Sequence, residues 1–282
     1  MVQKVINELK ASLHDALYLD LDDFGLETQG SEVISKFIGI RLQSAFQPIV
    51  NLTKTNEPIG YEALLRPSIG PEAISPLFAF DFADRQGRLV KLDRVARTLH
   101  MLNHLQLPEN RGLLFLNVHP KLLATVNAHG KVFERILHNH SVPTHQVVIE
   151  IQESAVEIDK QINEAVGNYR DRGYRVAIDG FGGKHTNLDR LWGIEPDFVK
   201  LDQNIIRDAE NKPKVRTVLA KLIEIIHELG AEAIVQGIES DNQLQVAKDA
   251  GAVLVQGYQI GRPVTIGEWN NISSDKNIKA VA

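Results

Sequence analysis

Apolar positions along the chain follow two different periods. Val2, Val5, Ile6, Leu9, Leu13 and Leu17 recur at helical spacing, which predicts an amphipathic N-terminal helical extension or linker over residues 1–40. Within it, Asp20, Asp22 and Asp23 hint at a calcium loop, but Phe24 stands where the next oxygen ligand belongs and no glutamate closes the loop. From residue 44 the pattern changes to short β-type runs. SAFQPIVNL (44–52), IGYEALLR (59–66), GLLFLNV (112–118), QVVIEIQE (146–153), YRVAIDGF (174–181), DFVKLD (197–202), AEAIVQGI (231–238) and AVLVQGYQI (252–260) make eight predicted strands.

Helical stretches with readable ends lie between them. Val215, Val218, Leu219, Leu222, Ile223, Ile226 and Leu229 form one stripe, and Gly230 supplies a left-handed terminator. Ser240 and Gln243 stand at capping-box spacing before a helix that stops at Gly251, and Gly173 precedes the fifth strand. Helix, glycine and buried strand in repetition is the pattern of a parallel α/β protein. Only NLTKTNEP separates the first two strands, too short for a crossover helix, so these two should pair antiparallel. The predicted fold is a TIM-type (β/α)8 barrel with one antiparallel strand, spanning 41–270 and followed by a polar tail at 271–282. An open doubly wound sheet is the competing architecture, weakened by the lack of a glycine-rich phosphate loop.

Composition narrows the function. With 43% hydrophobic and 24% charged residues, the chain is neither disordered nor fibrous. No run reaches the ~18 apolar residues of a membrane helix, and the N-terminus lacks a signal-peptide core, so a cytoplasmic location is expected. The absence of cysteine excludes disulfides, thiol nucleophiles and thiolate metal sites. A net charge of -5 argues against non-specific binding of a nucleic-acid polymer.

The strands carry polar residues near their C-terminal ends, where such barrels place active sites. These are Glu62 and Arg66, Asn117, Glu150 and Glu153, Asp179, Lys200 and Asp202, Gln236 to Glu239, and Gln256. So many buried carboxylates would cost several kcal/mol each if left uncompensated, about the scale that a bound cation offsets. Oxygen donors of this kind favour Mg²⁺ or Mn²⁺. His100 and His104 share a helix face without the HExxH glutamate and read as core or surface histidines. Trp192 and Phe198 read as packing residues.

EALLR (62–66), LNV (116–118), EIQE (150–153), DGFG (179–182), VKLD (199–202), QGIE (236–239) and QGYQIGRP (256–263), in this order, resemble the EAL domain over residues 44–265. FQPI (46–49) and the stretch at 75–93 extend the likeness. EAL domains are TIM-type barrels that bind the bacterial second messenger cyclic di-GMP, and active members hydrolyse it to linear pGpG with two Mg²⁺ or Mn²⁺ ions. The resemblance implies a first metal on Glu62, Asn117, Glu150 and Asp179. It implies Lys200 orienting the attacking water and Glu153 bracing the loop after the fifth strand. Ligand contacts would fall on Gln47, Glu62, Leu65, Arg66, Asp179, Gln256, Arg262 and Pro263. A homodimer is implied as well.

Two departures fall on the second metal. DDFG reads DGFG, with Gly180 for the second aspartate, and EGVE reads QGIE, with Gln236 for the first glutamate. Glycine offers no side-chain oxygen, and an amide is a much weaker partner for a hard dication than a carboxylate. Two-metal cleavage uses ions about 3.5–4 Å apart to stabilise both attacking and leaving oxygens. A single Mg²⁺ or Mn²⁺ site, or none, is therefore expected. The loop Gly182–Asn187 also departs from the family's usual residues. The expected function is a cyclic di-GMP-binding receptor with absent or very low phosphodiesterase activity, passing its state to an unidentified protein partner. The alternatives are an active phosphodiesterase in which Glu239 or Asp202 rebuilds the second site, and an interaction module indifferent to nucleotide. Arg66 would instead be neutralised by Glu62 or Glu150 if it did not meet phosphate, and Lys200 would be a counter-charge to Asp179 or Glu150.

Overall fold

The computed structural model describes residues 24–54, 58–107, 111–125, 130–153, 159–183 and 186–274. The amphipathic pattern at 2–17 and the aspartates at 20–23 lie outside the described residues. The strands are β1 (Leu26–Gln29), β2 (Glu32–Phe37), β3 (Ile40–Asn51), β4 (Pro58–Ile69), β5 (Glu72–Ala73), β6 (Leu113–Asn117), β7 (Val147–Gln152), β8 (Arg175–Phe181), β9 (Phe198–Leu201), β10 (Glu232–Val235), β11 (Leu254–Val255) and β12 (Val264–Thr265). Eight of them close a barrel in the order β3-β11-β10-β9-β8-β7-β6-β4, with β4 returning to β3. β3 runs antiparallel to both β4 and β11, and every other barrel pairing is parallel. The single reversed strand is the one that the short NLTKTNEP connection (51–58) predicts, and closure rules out the open sheet.

Residues 26–37, expected within a helical extension, form an antiparallel pair that continues the sheet beyond β3. Gly30 (φ 62°) turns β1 into β2, and Ile38 and Gly39 (φ 47° and 78°) turn β2 into β3. β-branched Val33 and Ile34 are buried between them, a setting that favours extended backbone over helix. A buried amide pins this pair to the barrel's outer layer. Asn103, on the helix Leu89–His104, accepts from Val33 N–H at 2.9 Å and donates to Val33 C=O at 2.8 Å.

Two apolar layers hold the barrel. The larger lies between strands and surrounding helices. The smaller fills the barrel interior with Ile49, Phe115, Val148, Ala177, Phe198, Ile234 and Leu254, each from a different strand. Phe115 and Phe198 meet edge to face at 5.3 Å, as packing predicts for Phe198. Trp192 does not follow that expectation. It is 59% exposed, because the short helix Asp189–Ile194 turns Leu191 and Ile194 inward instead.

Capping follows the local sequence. Ser240 accepts from Gln243 N–H at 3.2 Å, and the Gln243 side chain accepts from Glu239 N–H at 2.7 Å. Thr265 and Glu268 pair reciprocally at the start of the helix Ile266–Ser274, the Thr265 hydroxyl accepting from Glu268 N–H at 3.3 Å and the Glu268 carboxylate from Thr265 N–H at 2.7 Å. That helix carries the described chain past the domain boundary expected at residue 270, and Trp269 packs edge to face on Tyr61 at 5.6 Å.

Candidate active site

Side chains on a strand return to the same face every second residue. Stepping two residues from the interior apolar layer toward the strands' C-terminal ends leads from Phe115 to Asn117, Val148 to Glu150, Ala177 to Asp179, Phe198 to Lys200, Ile234 to Gln236 and Leu254 to Gln256. On reversed β3 the same step runs from Ile49 back to Gln47, which pairs with Glu62 of β4. One inward-facing polar ring thus caps one inward-facing apolar ring. A cleft of about 360 Å³ opens above it, lined by Gln47, Glu62, Gln152, Asp179, Gly180, Asp202, Gln203, Gln236, Glu239, Gln256 and Tyr258, among others.

Lys200 stands at the centre of the ring and is completely buried. Its ammonium donates to Glu62 Oε2 at 2.7 Å and to Glu150 Oε1 at 2.6 Å. Glu62 also accepts from Asn117 Nδ2 at 2.9 Å and from Gln256 Nε2 at 2.8 Å. Burial works against ionising Glu62, but the Lys200 charge and these three donors outweigh it and hold the carboxyl down to about 2. Glu150 goes the other way. Its burial, with Glu62 close by, pushes it well above the carboxylate range despite Lys200. Burial likewise raises Asp179. For Lys200, burial disfavours the charge, yet Glu150, Glu62 and Asp179 together push its pKa up.

The predicted ligand residues fall into three groups. Glu62, Asn117, Glu150, Asp179, Lys200 and Gln256 converge as one network, in which Lys200 bonds Glu150, one of the two counter-charges considered for it, and also Glu62. Gln47 joins it, accepting from Gln256 at 3.4 Å and donating to Gly261 C=O at 3.1 Å. Arg66 forms neither of the ion pairs considered for it: it is exposed at the rim and donates to Leu65 C=O at 3.2 Å. Leu65 is buried toward the helices, and Arg262 lies over the exposed Tyr258 ring at 4.5 Å, one residue before Pro263.

Glu153 accepts from Asn187 N–H at 2.6 Å and from the Thr186 hydroxyl at 3.1 Å, and that hydroxyl accepts from Gly182 N–H at 2.7 Å. The loop after β8 is therefore tied to Glu153. Thr186, Gln203 and Tyr258 were not singled out as site residues, since loop and helix-start residues carry no period. Gln152, the last residue of β7, was not singled out either, although it continues the inward-facing alternation of Val148 and Glu150. Lys184 and His185 lie outside the described residues.

β8 is irregular where the site needs it. The register with β9 shifts between Ile178 and Phe181, and Gly180 in that bulge has φ 76°. Its missing side chain would meet open cleft, with nothing within 4 Å of a Cβ. Gln236 lies on the same side of the cleft. No carboxylate comes from position 180 or 236.

The donor chemistry of Glu62, Asn117, Glu150 and Asp179 suits a hard dication, and Glu150 Oε2 is buried without a hydrogen-bond partner. Their arrangement does not present a ready-made cation site. Among the described residues no three acidic or imidazole groups converge to hold an ion, because Lys200 stands between the glutamates.

The EAL domain family model matches residues 34–263, most of the chain. The chain belongs to the EAL family. Among curated relatives, this EAL domain is 28% identical over 211 residues to the uncharacterized EAL-domain containing protein YkuI of Bacillus subtilis, covering 73% of the chain and 51% of YkuI. It is 28% identical over 237 residues to the probable cyclic di-GMP phosphodiesterase PdeI of Escherichia coli, covering 80% of the chain and 29% of PdeI. The chain thus spans about half or less of these relatives. Among solved structures, the calcium and cyclic di-GMP complex of Klebsiella pneumoniae BlrP1 superposes with a TM-score of 0.72 at 26% identity, over 80% of this chain and 56% of that one. No helix among the described residues is long and apolar enough to cross a membrane.

Proposed function

We propose that this EAL domain binds cyclic di-GMP as a signalling receptor and hydrolyses it very slowly or not at all. Gly180 and Gln236 carry the reading, since both positions that would bring carboxylates to a second metal bring none. Where the family resemblance expects two ions, the cleft offers carboxylates for at most one, on Glu62, Glu150 and Asp179 with Asn117. One dication can polarise a phosphodiester oxygen, but in-line displacement also needs the attacking and leaving oxygens stabilised together. Lys200, bonded to two glutamates, is poorly placed to activate water.

Ligand recognition survives this loss. Arg66 presents a forked donor at the rim, suited to a phosphate. Gln47 and Gln256 add amides on the floor, and Arg262, over the ring of the cleft-lining Tyr258, offers a second guanidinium with Pro263 beside it. The receptor would work in the cytoplasm as a homodimer that signals to a protein partner.

Incubating the protein with cyclic di-GMP and Mg²⁺ or Mn²⁺, while following bound and cleaved nucleotide, tests the reading. Binding without pGpG supports it. Turnover lost on Glu62→Ala would instead establish the phosphodiesterase reading, which the naming of PdeI favours and which Asp202 or Glu239, both lining the cleft, would have to support.

A further inference from the structure

Gln236 does more than fail as a metal ligand. In the orientation that satisfies both ends of its amide, the nitrogen donates to Asp179 Oδ1 at 3.2 Å and to Leu201 C=O at 3.2 Å, while the oxygen accepts from Lys200 Nζ at 3.3 Å. The opposite orientation would make one long contact to Gln256 at 3.5 Å and set the amide oxygen against the Asp179 carboxylate. The first arrangement is electrostatically consistent and the second is not. The amide meets its neighbours with both of its ends: an ionised glutamate here would aim acceptor oxygens at Asp179 Oδ1 and Leu201 C=O and has no N–H to give either.

The amide ties Asp179 into the network around Lys200. Lys200 bonds Glu62, Glu150 and Gln236, Gln236 bonds Asp179, and Glu62 is further bonded by Asn117 and Gln256. A buried polar network of this kind holds together when its members are satisfied, and one unpaired member is costly. Glu150 Oε2 is its one buried atom without a partner. Three carboxylates that would otherwise require a cation are thus held by one ammonium and three amides.

We propose that Gln236 is an internal substitute for metal: its amide bridge between Asp179 and Lys200 locks the carboxylate cage in a cation-free form, so that the folded domain neither needs nor readily takes a divalent ion. This deepens the receptor reading of the cleft but is tested without nucleotide, so the two can fail separately. A receptor could still bind cyclic di-GMP if the lock were absent, and the lock could exist in a domain that binds nothing.

The experiment is thermal unfolding of the whole chain in EDTA and in Mn²⁺, for the wild type, Gln236→Glu and Gln236→Met, with circular dichroism confirming the fold. The wild type is expected to unfold at the same temperature in both. Each variant should unfold several degrees lower in EDTA and recover with Mn²⁺, most fully for Gln236→Glu, which adds a carboxylate. If Gln236→Glu folds only with Mn²⁺, that is the same result in stronger form, and Gln236→Met carries the comparison in EDTA. A wild type that Mn²⁺ stabilises as much as the variants, or variants as indifferent to Mn²⁺ as the wild type, overturns the proposal.

Discussion

Lys200 and Glu150 meet 2.6 Å apart, although their strands β9 and β7 are not neighbours in the sheet, and no solvent reaches either side chain. The strand between them contributes small Ala177 to the interior layer, while Asp179 sits above at the mouth, so the lysine can reach across the barrel to both glutamates. A charge at that depth persists only because its partners are equally buried.

Removing the ammonium should therefore be expensive. Lys200→Met leaves Glu62 and Glu150 buried without their counter-charge, and a destabilisation of about 3–5 kcal/mol is expected. Urea unfolding monitored by circular dichroism measures it. A loss below about 1 kcal/mol would mean that water enters the cage freely.

Arg66 is exposed, and its hydrogen bond to Leu65 lies outside the core, so Arg66→Ala should leave unfolding unchanged while weakening nucleotide binding. Losing charge-assisted hydrogen bonds worth about 1.5–3 kcal/mol corresponds to roughly a 10- to 100-fold fall in affinity. Calorimetric titration with cyclic di-GMP reads this, and unchanged affinity would remove Arg66 from the site.

Restoring the missing carboxylates should restore chemistry. Gly180→Asp meets open space, and although φ 76° costs a side chain about 1 kcal/mol, aspartate tolerates that region better than most residues. The double variant Gly180→Asp/Gln236→Glu is expected to produce pGpG with Mn²⁺ at rates well above either single variant, by chromatographic assay. A double variant that binds nucleotide yet stays inert would place the defect elsewhere, the loop after Gly182 being the next suspect.

Stability should fall in mild acid. His100, which is hydrogen-bonded to Ser44 at 2.7 Å, and His104 are both held to about 3, chiefly by burial and further by Arg66 and Arg97 for His100 and by Arg111 for His104. Below pH 6.5 the unfolded chain takes up protons that the folded chain refuses, so these histidines favour folding above that pH. Their contribution is lost as pH falls from about 6.5 toward about 3, on the order of a few kcal/mol in total. Comparing unfolding free energies from pH 7 to 4 for wild type and His104→Leu checks it. The variant should show the shallower slope, and parallel curves would contradict the assignment.

The Asn103 clamp makes a prediction for the added strands. Asn103→Ala leaves Val33 N–H and C=O without their buried partners, at about 1–3 kcal/mol. Hydrogen exchange should quicken at residues 26–37 and stay slow in β7 and β9. Unchanged exchange at Val33 would show that β2 is held by its strand neighbours alone.

Much of this was legible along the chain. Alternating or continuous apolar runs located all eight barrel strands, the eight residues of NLTKTNEP identified the reversed one, and the polar interruptions at 62, 117, 150, 179, 200, 236 and 256 marked the site. These are local signals, because strand period, turn length and the cost of burying a polar group act within a few residues. Strand ends were less legible. β11 stops at Val255, since Gly257 then presses so close to Ile238 that a Cβ would overlap its backbone. Residues 26–37 looked like part of a helical extension although they pair with each other and with neighbouring β3, because the Asn103 side chain that clamps Val33 lies 70 residues away. The exposure of Trp192 depended on which way a single-turn helix faced. Sequence alone determined which groups occupy the barrel mouth and that positions 180 and 236 bring no carboxylate to it. Only the tertiary structure decided how those groups are paired, with Lys200 between Glu62 and Glu150 and Gln236 between Asp179 and Lys200. The pairing of buried charges depends on distances across the barrel, and spacing along a strand says nothing about those.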